Sequence, residues 1–341
     1  MLIDQTWVLQ CRPGFEPDCG AEAAAVSNGE WEGELDRGFV TVRAADLAPL
    51  AELIFTRQAF RQIAALADLP AGDRINGILA ALKGQETAVN DVLLEHADTN
   101  EAKKLAGFIK KFAMPLKSAL AKQGFPLRRD AAQRLHFMFA DSRNLRVGLS
   151  DSTRGSPWPN GILRLKLPRD APSRSTLKLE EALHVFLDAR ARDKFLRAGL
   201  RAVDLGAAPG GWTWQMTSRG IRTIAVDNGN MDGRLMASGL VEHRREDGLC
   251  YRPPKPVDWL LCDMVERPQR IAALMGDWLA DGDCRRAIFN LKLPMKMRYE
   301  SVRECLGMLS ERLYRAGTDH ILRCKQLYHD REEVTAYVAL L

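Results

Sequence analysis

Asp204-Leu205-Gly206-Ala207-Ala208-Pro209-Gly210-Gly211-Trp212 decides the fold, because an apolar strand-like run leads into it and a helix-like run leads out. Strand, glycine-rich turn and helix in that order lay a nucleotide-like cofactor against a helix N-terminus. A side chain at Gly206, Gly210 or Gly211 would hold the backbone away from the ligand or forbid the φ values of a tight turn. An ordinary Gly/Pro turn is the plain alternative, but Asp before Gly and Pro-Gly-Gly after it are more than a turn needs. A dinucleotide fingerprint would read G-x-G-x-x-G. The wider G-x-x-P-G-G loop suits a zwitterionic amino-acid moiety with an acid at its edge.

Outward from this loop, elements alternate. Helix is predicted at 176–191, 211–219, 230–238, 267–280 and 299–316. Strand is predicted at 201–205, 221–226, 240–244, 257–262, 286–292, 319–328 and 334–341. That rhythm is an α/β, doubly wound parallel sheet, with ligands at the carboxyl ends of its strands. Asp227 ends the second strand, where a carboxylate can accept hydrogen bonds from both ribose hydroxyls and would repel a 2′-phosphate. Asp247 ends the third, where such folds read an adenine amine. Each alone could be a loop carboxylate or N-cap. Three acids at successive strand ends together point to S-adenosylmethionine.

The first half reads differently. Strands are expected over 2–10, 38–43, 135–140 and 145–149, and helix over roughly 46–65 and 101–122, with further elements at 74–81 and 89–95. This mixture without a βαβ rhythm suggests small α+β units. Pro157, Pro159, Pro168 and Pro172 mark a domain boundary. Residues 1–100 carry 7 Lys/Arg against 16 Asp/Glu, whereas 101–170 carry 15 against 5. The central segment is the part suited to a polyanion. The N-terminus lacks the basic and apolar regions of a signal peptide, and no apolar run is long enough to span a bilayer, so a cytoplasmic protein is expected. The seven cysteines include no CxxC pair and read as reduced, mostly buried thiols; no metal site is expected.

Lys178, Asp263, Lys292 and Glu333 complete the pattern. Asp263 and Lys292 follow apolar strand runs and so emerge on the cofactor edge. Glu333 precedes a last strand that would reach the same edge by running antiparallel. Singly, Lys178 reads as a helix-surface lysine and Glu333 as a solvated acid.

In order and local context the four match the Lys-Asp-Lys-Glu tetrad of the FtsJ-type ribose 2′-O-methyltransferases, which this sequence resembles. SRSTLKLEEALHVF (173–186), DLGAAPGGWTWQM (204–216), VDNGNMDG (226–233), REDG (245–248), CDMVERP (262–268), IFNLKLPMK (288–296) and QLYHDREEVT (326–335) look like the members of that family that act on a cytidine of large-subunit ribosomal RNA. The resemblance is strong over about 172–341. It implies a ferredoxin-like unit at 1–75, a THUMP-like RNA-binding domain at 76–170 holding the basic segment, and a Rossmann-like class I methyltransferase domain at 171–341. It implies S-adenosyl-L-methionine bound by Ser175, Ala208, Pro209, Gly210, Gly211, Asp227, Asp247 and Asp263, and catalysis by the four charged residues. Some relatives carry Cys at position 208, where only backbone contact is expected.

The implied reaction is 2′-O-methylation of a single cytidine of 23S rRNA, naked or in early assembly. Lys292 is the expected general base, its pKa lowered by Lys178 and by partial burial, against the opposing pull of Asp263 and Glu333. If Lys292 stays charged, it positions the hydroxyl and stabilises the developing alkoxide instead. Lys296 and Arg298 could hold phosphates. Trp158, Trp212 and Trp214 are expected to pack rather than stack on bases; His184 and His329 need no catalytic task. The same chemistry on tRNA, and a non-catalytic RNA-binding or ribosome-assembly factor, stand as alternatives. A nicotinamide dehydrogenase is disfavoured by Pro-Gly-Gly and the tetrad. A monomer and a weak dimer are both open.

Overall fold

In a computed structural model, which describes residues 5–341, the chain divides into two compact units that meet between Leu163 and Arg164. This falls inside the proline-rich stretch. The first unit is built on one continuous sheet.

That sheet uses β1 (Gln5–Gln10), β2 (Glu30–Glu32), β3 (Phe39–Ala44), β4 (Gln58–Leu66), β5 (Val89–His96), β6 (Gln133–Phe139) and β7 (Leu145–Asp151) in the order β2-β3-β1-β4-β7-β6-β5. The described part of the strand expected at 2–10 begins at Gln5; the residues before it lie outside the described range. With α1 (Glu16–Ser27) between β1 and β2, the run β1 to β4 has the order of a split βαβ motif. Its second helix is reduced to a single turn at Leu50–Glu52. β4 then pairs with β7 on its other side, so the sheet runs on across residue 75.

The helix expected at 46–65 is therefore wrong over most of its length: Gln58–Leu66 is a strand. Its Ala, Gln and Leu favour helix, but pairing on both edges overrules that weak preference. The buried Gln58 fixes the strand, donating through Nε2 to Glu95 Oε1 at 2.9 Å and accepting from Ser156 N–H at 2.7 Å. Helices α2 (Arg74–Ala81) and α3 (Ala106–Lys122) close a core with Leu116, Leu120, Leu135, Phe137 and Val147. The opposite side of α3 leaves Lys110 and Lys111 exposed.

The second unit contains α4 (Thr176–Phe186), α5 (Ala189–Phe195), β8 (Arg201–Leu205), α6 (Gly211–Thr217), β9 (Arg222–Val226), α7 (Gly233–Met236), β10 (Val241–Arg244), β11 (Val257–Cys262), α8 (Pro268–Ala280), β12 (Cys284–Lys292), α9 (Arg298–Arg315), β13 (His320–Lys325) and β14 (Glu333–Leu340). The helix expected at 176–191 is two. Leu187 is extended, and Asp188 starts the second by accepting from Ala191 N–H at 2.7 Å.

The sheet order is β10-β9-β8-β11-β12-β14-β13, parallel from β10 to β12, with β14 antiparallel to both neighbours. The chain leaves β8 toward one edge and returns to β11 on its other side. The carboxyl ends of β8 and β11 thus frame the switch point where ligands bind in such sheets. Trp212, Trp259, Leu261, Ile288 and Tyr337 share the core. Six cysteines are buried and Cys250 is exposed, and none of these described residues forms a disulfide. No helix among the described residues is long and apolar enough to cross a membrane.

Candidate active site

Gly206 stands at φ +76° and Gly210 at φ +115°, conformations that favour glycine, as β8 turns into α6. A Cβ on Gly211 would lie 2.3 Å from Ser175 Oγ and 2.4 Å from Ser173 Oγ, so the loop can lie against the start of α4 only without a side chain there. The contact is pinned by Trp212 Nε1, which donates to Ser175 O at 3.1 Å, and by Gln215 Nε2, which donates to Thr176 O at 3.0 Å. Trp212 is a packing residue, as expected.

These elements enclose a cavity of about 270 Å³ whose walls include Ser175, Ala208, Pro209 and Asp263 from the expected set. Asp227 closes the loop, accepting from Ala208 N–H at 2.9 Å and Gly229 N–H at 2.7 Å. Gly210 and Gly211 begin α6 behind the wall. Asp247 is exposed beyond β10, where its Oδ1 accepts from Leu249 N–H at 2.9 Å, and it does not line the cavity.

Sequence reasoning left Ser173 out of the site; it lines the cavity together with Asp204, the acid expected at the edge of the loop. Asp204 was legible as one of three acids at successive strand ends. Its Oδ2 accepts from Thr213 Oγ1 at 2.6 Å, while its buried Oδ1 has no partner. Burial pushes its pKa up to about 7, the Thr213 hydrogen bond opposes the rise, and the charges of Asp263 and Asp227 add to it. An unsatisfied acceptor on the wall, beside glycines that leave no room for side chains, fits a ligand that brings hydrogen-bond donors and positive charge. Affinity for S-adenosylmethionine is therefore expected to rise between pH 6 and 8 as Asp204 ionises. Asp204→Asn should bind about tenfold more weakly with a flat pH profile. Calorimetric titration across that range checks both; unchanged pH dependence in the variant removes Asp204 from the site.

Beside the cavity the four charged residues converge. Lys292 and Glu333 are register partners at the ends of β12 and β14. The Glu333 carboxylate pairs with Lys292 through Oε2 and with Lys178, from the first turn of α4, through Oε1. Asp263 Oδ1 accepts from Lys292 Nζ at 3.0 Å and Oδ2 from Lys178 Nζ at 3.3 Å. The result is a ring of alternating charge. Burial works to raise the Asp263 pKa, but Lys292 and then Lys178 hold it below the usual carboxylate value. Burial works to lower that of Lys292, but Asp263 and Glu333 lift it above the ordinary lysine value. The expected lowering of Lys292 is thus corrected. Two carboxylates at contact distance outweigh desolvation and one neighbouring cation.

A groove of about 830 Å³ opens on Lys292 and is lined also by Val265, Arg267, Pro294, Met297 and Glu300. Val265 is 91% exposed and Met297 70%, an unusual outlay of apolar surface. Arg298 is engaged by Glu332 at 3.4 Å, whereas Lys296 is exposed on the groove.

Residues 73–151 match the family described as ribosomal RNA large subunit methyltransferase M, N-terminal, and residues 171–274 match the FtsJ-like methyltransferases. A ribosomal RNA large subunit methyltransferase M from Methylococcus capsulatus is 50% identical, covering 100% of both chains. One from Laribacter hongkongensis is 48% identical over 98% of this chain and 96% of that protein. Among solved structures, TrmN from Thermus thermophilus is 17% identical, covering 98% of this chain and 100% of that one at a TM-score of 0.36.

Proposed function

The chain belongs to the ribosomal RNA large subunit methyltransferase M family, and from that premise we propose that it transfers a methyl group to the 2′-hydroxyl of a single cytidine in 23S rRNA. The tetrad carries this reading. It sets two ammonium groups and two carboxylates beside a cofactor cavity, and no metal or nucleophilic side chain is required for the transfer. S-adenosylmethionine, when bound, supplies an electrophilic methyl on a cationic sulfur.

The chain's own residues do the rest. The groove admits the acceptor nucleotide to Lys292, with Val265 and Met297 offering apolar surface to a base. Lys292, held as an ammonium, donates a hydrogen bond to the ribose oxygen and leaves another lone pair to face the methyl. As the C–O bond forms and the C–S bond breaks, the hydroxyl proton becomes strongly acidic and passes to water or to Glu333. Lys292 stabilises the negative charge that develops on oxygen. Lys178 keeps both carboxylates placed around it.

Tritiated methyl transfer to naked 23S rRNA, assembled large subunits and tRNA, with mapping of the modified nucleotide, tests the proposal. Modified cytidine in naked 23S rRNA is expected; methylation of tRNA alone, or of a base atom, overturns it.

The basic segment 101–170 is the proposed RNA-binding part. It supplies α3, β6 and β7, so it cannot be deleted without removing sheet and core. Reversing exposed charges is the usable test. Lys110→Glu with Lys111→Glu should weaken RNA binding and make its salt dependence shallower by about one to two units of log-log slope. Filter binding across salt concentrations measures this, and an unchanged slope removes α3 from the interface.

A further inference from the structure

A second cross-strand pair lies one pleat behind the tetrad. Asn290 and Thr335 are register partners on β12 and β14, each two residues from Lys292 and Glu333, so they share the face of the sheet that carries those charges. Both are fully buried. Asn290 Nδ2 donates to Asp263 Oδ1 at 2.9 Å, and Thr335 Oγ1 donates to Asn290 Oδ1 at 2.8 Å.

The directions of these bonds are fixed. Asp263, ionised between two lysines, only accepts, so the Asn290 amide must turn its nitrogen to Asp263 and its oxygen to Thr335. The one hydroxyl proton of Thr335 is then committed to Asn290. Asp330 Oδ2 lies 3.0 Å from the same hydroxyl oxygen. Burial, with the charges of Glu333 and Glu181, lifts the Asp330 pKa well above its ordinary value, and its Oδ2 also accepts from Leu327 N–H at 3.0 Å.

We propose that Asn290, locked by Thr335, is a positioning residue that fixes the orientation of Asp263 and through it the placement of Lys292 and Lys178 at the acceptor oxygen. This rests on the methyl-transfer reading. The amide ties down one Asp263 oxygen from below, so the carboxylate cannot rotate when a substrate hydroxyl competes for its lysines. It also adds a donor that favours the ionised form.

The test has two arms. In the ligand-free protein, the Asp263 carboxyl carbon is titrated by NMR in wild type and in Asn290→Ala. The midpoint is expected to move up by roughly half a pH unit or more. In the methylation assay, Asn290→Ala and Thr335→Val should each lower kcat about tenfold, with the KM for S-adenosylmethionine within about twofold and the acid limb of kcat moved to higher pH. Thr335→Ser should restore most of the rate. An unmoved Asp263 titration, or a fall in kcat that Thr335→Ser does not repair, overturns the proposal. If wild type methylates no RNA, the methyl-transfer reading falls while the titration still decides the role of Asn290.

Discussion

Lys292→Ala is expected to lower single-turnover methyl transfer by about three orders of magnitude while S-adenosylmethionine binds within about twofold of wild type. The two effects separate because Lys292 lines the open groove rather than the cofactor cavity. Its contacts are to Asp263 and Glu333, not to the glycine loop. Truncation removes the donor nearest the groove and leaves Lys178 as the one cation between two carboxylates. Quench-flow transfer and calorimetry measure the two quantities independently. Retention of near wild-type turnover would exclude Lys292 from the chemistry.

The second large effect is on stability. Glu333 has a side chain only 6% exposed and pairs with both lysines, so Glu333→Ala leaves two partly buried ammonium groups facing one carboxylate. Breaking such a pair by removing one partner costs about 3 kcal/mol. For a unit of this size that is a fall of roughly 6 to 12 °C in melting temperature. The pH dependence follows from the two resolved shifts. Asp263, held low, contributes stability above the ordinary carboxylate pKa that is lost as pH falls through its folded value. Lys292, held high, contributes stability below the ordinary lysine pKa that is lost as pH rises through its folded value. The tetrad is therefore at full strength across the neutral range. Without Glu333 the alkaline limb should move to lower pH, because one of the charges that raises Lys292 is gone. Melting scans from acid to alkaline pH read both; a variant as stable as wild type would show that Asp263 alone suffices.

Much of the second unit was legible because its signals are local. Apolar runs, a glycine turn and charged residues at strand ends give elements whose limits differ by a few residues from those observed. β4 was not legible, since the residues that make it a strand are its partners β1 and β7 and the distant carboxylate of Glu95. The same holds for the sign of the Lys292 shift. Sequence shows which charges are near, but the balance depends on both carboxylates reaching Nζ, which only the register of β12 against β14 provides. Asn290 and Thr335 escaped notice because an Asn and a Thr inside strands carry no motif. Their meaning appears only when the two strands are laid side by side.

The placement of β14 also bears on when the protein becomes competent. Ribosomes release a chain from its amino end, and β14 emerges after β12 and β13, yet it inserts between them and delivers Glu333. A nascent or truncated chain lacking it would present the glycine loop with its two lysines bridged by Asp263 alone. On the proposed mechanism, methyl transfer requires that translation has run through residue 333.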